Sequence, residues 1–226
     1  QQEKGKKKAR LVAKDLKCIR KLPKTDTYAA VPTAEAFRML VSTFNADTDE
    51  LSSTDFQTAF LQSSKFKDRR LVLFVYYDIF LKRDVYVWLF GVVYGMQVGG
   101  HNWKETLSYR ITTELGFKEL RNMESMYYSK EADVTVSCHV DDPLTKAKAE
   151  GKKWFHDKIE DMFDTKGRQD LSPGNDLDYL SMRISMNSRG DIRLDNQLKI
   201  EKYLEEMGLS ECNPAVEPIH KDWLKR

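Results

Sequence analysis

Asp141 and Asp142 stand next to each other after VTVSCHV (134–140), a run that alternates apolar and polar residues as a strand does. Pro143 follows them; it carries no N–H and pushes Asp142 toward an extended backbone. Two adjacent carboxylates at a chain reversal have two readings. They cap local backbone donors in a polar turn, or they form half of a site for a hard cation. A third acid bears on the choice. In SSTDFQTAF, Asp55 closes a short strand and precedes a helical pattern. Phosphoryl transfer with two divalent ions needs carboxylates converging from different strands. One aspartate on a central strand, beside a hairpin tipped with two more, meets that need.

The elements that must place these residues follow from the pattern. Pro32-Thr33 opens a helix whose Phe37, Leu40, Val41 and Phe44 form one stripe. LVLFVYY (71–77) and VYVWLF (85–90) are β-branched and aromatic, and read as strands. Trp103, Leu107, Ile111 and Leu115 recur every fourth residue, and Gly116 stops that helix. Strands over 125–130 and 133–140 flank the acidic pair, with Val134, Val136, Cys138 and Val140 on one face. A helix with Trp154, Phe155, Ile159, Met162 and Phe163 follows. The run 177–186 reads as one strand, joined to DIRLD (191–195) by the turn Asn187-Ser188-Arg189-Gly190. A last helix starts near Asn196, presents Ile200, Tyr203, Leu204 and Met207, and ends at Gly208; Pro214 and Pro218 then mark a linker. ARLVAKDLKCI (9–19) has the mixed pattern of a further strand, and FQTAFLQ (56–62) that of a further helix. The class is α+β with an antiparallel sheet.

The chain of 226 residues is 41% hydrophobic and 32% charged, enough for a substantial core. No apolar run reaches the ~20 residues of a spanning helix. Cys18, Cys138 and Cys212 are far apart and form no CxxC, which points to a reducing compartment, cytoplasmic or nuclear. The net charge of +2 hides an asymmetry: residues 1–24 hold ten Lys and Arg against Glu3 and Asp15. A basic arm on an acidic body suits a polyanionic partner; a solvated terminus is the alternative.

Seven segments in order resemble the reverse transcriptase domain of Ty1/copia-type LTR retrotransposon polyproteins. They are KARLVAK (8–14), YAAVPTAEAFRMLVS (28–42), STDFQTAFLQ (53–62), VYGMQVGGHNW (93–103), CHVDDPL (138–144), LDYLSMRIS (177–185) and residues 192–218. The resemblance implies a right-hand polymerase with fingers and palm, an antiparallel palm sheet backed by helices. It implies fingers-like residues 1–48 with the basic arm, a palm with a fingers insertion over 49–195, and a C-terminal helix and linker over 196–226. It also implies RNA-directed DNA synthesis from dNTPs on a template–primer, with two Mg²⁺ ions (or Mn²⁺) held by Asp55, Asp141 and Asp142. Phe60 matches the aromatic residue that crowds the sugar 2′ position, and is otherwise a core aromatic beside Phe56. Arg10, Lys14 and Gln97 match positions near template or triphosphate. RNase H and integrase are the partner domains of such polyproteins.

The chain departs from the family at His139, where tyrosine is usual, at Pro143, where an apolar residue is usual, and at Gln97, Val98, Gly100 and His101. Those last four stand where Lys, Gln, Pro and Arg are usual, and Gly99-Gly100 is expected to loosen that loop. An inactive relative that binds nucleic acid or a protein partner is the alternative these departures support.

Overall fold

The computed structural model describes residues 10, 12–15, 21–65 and 72–211. Cys18, Cys212, the proline-marked linker and most of the basic arm lie outside the described residues. In chain order the elements are α1 (Lys24–Thr27), α2 (Ala34–Ser42), β1 (Glu50–Phe56), a 3-10 turn (Ala59–Gln62), β2 (Val72–Asp78), β3 (Arg83–Leu89) and α3 (Gly99–Tyr109). A π-helical turn (Arg110–Glu114) prolongs α3. Then come β4 (Lys118–Glu119), β5 (Met126–Ser129), β6 (Val134–His139), β7 (Asp142–Ala147), α4 (Ala149–Met162) and β8 (Thr165–Asp170). The last elements are β9 (Leu177–Tyr179), β10 (Met182–Met186), β11 (Ile192–Asp195) and α5 (Gln197–Glu206).

Six strands form one antiparallel sheet in the order β4-β5-β6-β7-β1-β8. Its two faces carry two cores. On one, Val134, Val136 and Cys138 meet Trp103 and Leu107 of α3 and Phe155 and Ile159 of α4. On the other, Leu51, Met126 and Leu144 meet Phe37 and Leu40 of α2 and Tyr179 and Ile184 of the β9–β10 pair. The period-2 pattern of β6 therefore sorts its side chains as the sequence requires. A nine-residue helix such as α2 is marginal alone. The Thr33 hydroxyl caps it by accepting from the Ala36 N–H at 3.2 Å. Burial of Phe37 and Leu40, each contributing about 1.5–3 kcal/mol, then holds it.

A polar cluster ties α4 to the sheet. Lys152, itself buried, bonds Asp170 of β8 at 2.7 Å and pairs with Glu50 of β1. One turn along, His156 Nε2 shares a hydrogen bond of 2.8 Å with the buried Ser52 hydroxyl. Burial, with Arg168 and Lys152 nearby, pushes the imidazole down to about 4. His156 is thus neutral at neutral pH. Its contribution to stability is complete above the ordinary histidine range and is lost as pH falls toward 4, because the unfolded chain takes up the proton first.

Several expectations change. FQTAFLQ forms only a 3-10 turn, because Thr58 enters the left-handed region at φ 48°. The run 177–186 is two strands; Leu180 and Ser181, at φ 51° and 63°, make a tight hairpin between them. Residues 12–15 form no strand, although the Ala13 N–H donates to Tyr94 O at 2.7 Å. Gly99 and Gly100 are not a loose loop but the first residues of α3. Pro143 lies next to the tip of the β6–β7 hairpin, across from Cys138, in a strand flanked on both sides. Ile200, Tyr203 and Met207 of the last helix stay exposed. The β2–β3 hairpin also presents Leu73, Val75, Tyr86 and Trp88 on one exposed face, paired Leu73–Trp88 and Val75–Tyr86.

Candidate polymerase active site

The acidic pair sits where β6 reverses into β7. His139 and Asp142 form the last pair, leaving Val140 and Asp141 as a two-residue turn. Val140 has φ 56°. A β-branched residue in that region costs about 1–3 kcal/mol, and such strain persists only where the surroundings over-determine it.

Beside the turn runs β1. Its pairing with β7 passes through Ser52↔Thr145 and Ser53↔Leu144. The Phe56 N–H then donates to Asp141 O at 2.8 Å, in the same register. Continued past Ser53, that register brings Asp55 beside Asp142, whose carboxyl feels the Asp55 charge. On its other side Asp55 is paired with Lys166 of β8, just past a register shift. Three carboxylates from two strands therefore share one end of the sheet.

Their charges are felt. Burial first, then the charges of Asp141 and Asp55, push the Asp142 carboxyl up to about 6. Among the described residues no three His, Cys, Asp or Glu side chains are already drawn into a metal-binding cluster. What the turn and β1 do bring together is negative charge, felt at Asp142. A divalent cation beside these carboxylates would relieve that repulsion.

The other residues singled out in the sequence lie toward α3. Arg10 places Cζ 5.1 Å from the Tyr94 ring centroid, and Tyr94 lies 5.5 Å from Phe60. Phe60 is half-buried against the core beneath α3. Arg10 thus lies over Tyr94, and Tyr94 packs at a tilt against Phe60. Lys14 is exposed. Gln97 turns to the N-terminal segment: its backbone N–H and its side-chain amide both donate to Asp15, each at 3.1 Å. His101 Nδ1 bonds the Tyr28 carbonyl oxygen at 2.7 Å. His139, opposite Asp142 in register, shares that face of the hairpin.

Gly95 lets this layer close. It has φ 85°, and a Cβ there would collide with the Ala13 carbonyl and with Val12. Gly95→Ala is expected to detach residues 12–15 while leaving the sheet intact. Amide exchange at Ala13 should rise at least tenfold, with a global destabilisation of about 1–2 kcal/mol in urea titration. Unchanged protection at Ala13 would contradict this account of the contact.

Sequence reading missed three donors that converge on the turn: Trp103, Tyr179 and the Phe56 N–H. Each is remote in sequence from residues 140–142, so no local pattern could announce it.

Comparison with known proteins agrees with this arrangement. The family model for reverse transcriptase (RNA-dependent DNA polymerase) matches residues 1–221. The chain belongs to the reverse transcriptase family. Its fold is similar to that of a solved apo telomerase from Candida tropicalis, truncated from the C-terminal domain. The TM-score is 0.50 at 12% identity, with 79% of this chain and 43% of that one covered. No curated protein sequence matches the chain. The α+β architecture, an antiparallel sheet backed by helices, is the fingers and palm arrangement expected of a reverse transcriptase.

Proposed function

We propose that this reverse transcriptase domain is an RNA-directed DNA polymerase of the Ty1/copia retrotransposon type, with Asp55, Asp141 and Asp142 as its metal-binding carboxylates. The observation that supports this most is the bond from the N–H of Phe56, the residue after Asp55, to Asp141 O. Two Mg²⁺ ions, when bound, would supply charge neutralisation at the attacking and leaving oxygens. Within the chain, Asp55 of β1 and Asp141 of the turn would offer ligands, and Asp142 adds negative charge beside them. The primer 3′-OH attacks the α-phosphate of a dNTP, and pyrophosphate leaves. Phe60, packed at a tilt against the Tyr94 ring that Arg10 covers, is proposed to set the limit on the sugar at the 2′ position.

The test is extension of a DNA primer on an RNA template with dNTPs and Mg²⁺ or Mn²⁺, against an EDTA control. Metal-dependent extension is expected.

A second reading, a module that binds nucleic acid or a protein without synthesis, is favoured by Gln97. Its amide is held by Asp15, where the family has a lysine. Template–primer binding with a steep salt dependence, but no extension, would select that reading.

A further inference from the structure

The three carbonyls of Val140, Asp141 and Asp142 each accept a hydrogen bond from a different element. Trp103 Nε1–H of α3 donates to Val140 O at 2.6 Å. The Phe56 N–H of β1 donates to Asp141 O at 2.8 Å. The Tyr179 hydroxyl of β9 donates to Asp142 O at 3.1 Å, with Ser137 O a further acceptor at 3.4 Å.

Only one of these bonds belongs to the sheet. The other two come from opposite faces: Trp103 sits in the core of one, Tyr179 in the core of the other. Both side chains are buried and braced by rings. Trp103 meets Phe56 at 5.2 Å and Phe163 at 5.3 Å edge-on, and Tyr179 stacks on Phe37 at 5.5 Å. The turn they grip holds Val140 at φ 56°, a conformation that relaxes unless it is held from outside.

We propose that Trp103 and Tyr179 are positioning residues of the polymerase site, clamping the Val140–Asp142 turn by its backbone carbonyls so that its two carboxylates face Asp55 at fixed height. The inference rests on the metal-site reading above. The clamp acts on carbonyl oxygens and itself occupies no carboxylate oxygen. It sets the geometry of the donors without competing for them, as residues that support a metal ligand do.

The experiment compares Trp103→Phe and Tyr179→Phe, each of which removes the donor and keeps a ring, with Phe163→Leu. That control loosens the aromatic cluster around Trp103 without touching the turn. Mn²⁺ affinity is read by electron paramagnetic resonance, alongside urea stability and steady-state primer extension. Each clamp variant is expected to lose about 10- to 100-fold in Mn²⁺ affinity and in kcat, with template–primer Kd unchanged. Phe163→Leu, which keeps both donors, should lower stability and cost clearly less Mn²⁺ affinity than either clamp variant. If Trp103→Phe fails to fold, Tyr179→Phe alone decides. Unchanged Mn²⁺ affinity and kcat in the clamp variants, or an equal loss in Phe163→Leu, overturns the clamp. Absence of Mn²⁺ binding in the unmodified protein overturns the metal-site reading first, and the clamp with it.

Discussion

Asp141→Asn and Asp55→Asn should each abolish primer extension while leaving the fold intact, with a loss of at least about a thousandfold in kcat. The expectation follows from position and charge. Both residues lie at one end of the sheet, joined through the Phe56 N–H to Asp141 O bond, and both are half-exposed. Asn keeps the size and the turn-forming ability of Asp, and removes the charge that a divalent cation needs. The Asp141 bond runs through its main chain, so the substitution leaves it in place. Far-UV circular dichroism should therefore match the unmodified protein, and urea midpoints should not fall. Extension that survives in both variants would show that synthesis, if present, is placed elsewhere.

Asp142→Asn should have opposite effects on stability and on synthesis. The folded protein holds the Asp142 proton up to about pH 6, because burial and the neighbouring Asp141 and Asp55 disfavour its charge. The unfolded chain releases it near the ordinary aspartate value. Between those values the native state binds more protons than the unfolded one, so stability falls as pH rises through the window. The full shift corresponds to about 3 kcal/mol, which partial solvent access reduces to about 1–2 kcal/mol. In EDTA at pH 8 the Asn variant should be more stable than the unmodified protein by that amount. The difference should vanish below about pH 4, where both forms are neutral at this position. Millimolar Mg²⁺ should restore stability to the unmodified protein and do less for the variant, since binding to the native state alone raises its stability. A destabilised Asn variant at pH 8 would contradict the charge crowding at the turn.

What the sequence made legible, and what it hid, differ for physical reasons. The helix at Ala34–Ser42 was readable because its cap and its apolar stripe are local. So was β6, whose alternation sends Val134, Val136 and Cys138 into one core. Strand β8, TKGRQD, carries no such pattern. It is a strand because β1 offers it a ladder and Lys152 anchors its end. The hairpin at Leu180-Ser181 was hidden for a related reason. Both residues take positive φ without the Gly or Asn that usually marks such a turn.

At the site, the three aspartates were legible from residue type and order. Their adjacency was not, since it depends on the β1–β7 register. Gln97 was readable as a polar residue of a substrate loop, but its bond to Asp15 spans 82 positions of sequence. The donors from Trp103 and Tyr179 were likewise out of reach. Trp103 declared itself only as one of four apolar residues on a helix, and nothing in that spacing says where its N–H points.

The central claim is that Asp55, Asp141 and Asp142 act as one divalent-cation site. It is tested most directly by Mn²⁺ titration of the unmodified protein and of Asp55→Asn, followed by electron paramagnetic resonance. The account predicts saturable binding to the unmodified protein and an affinity at least tenfold weaker in Asp55→Asn, although residue 55 lies far in sequence from the acidic pair. Equal Mn²⁺ affinity in the two proteins would contradict it.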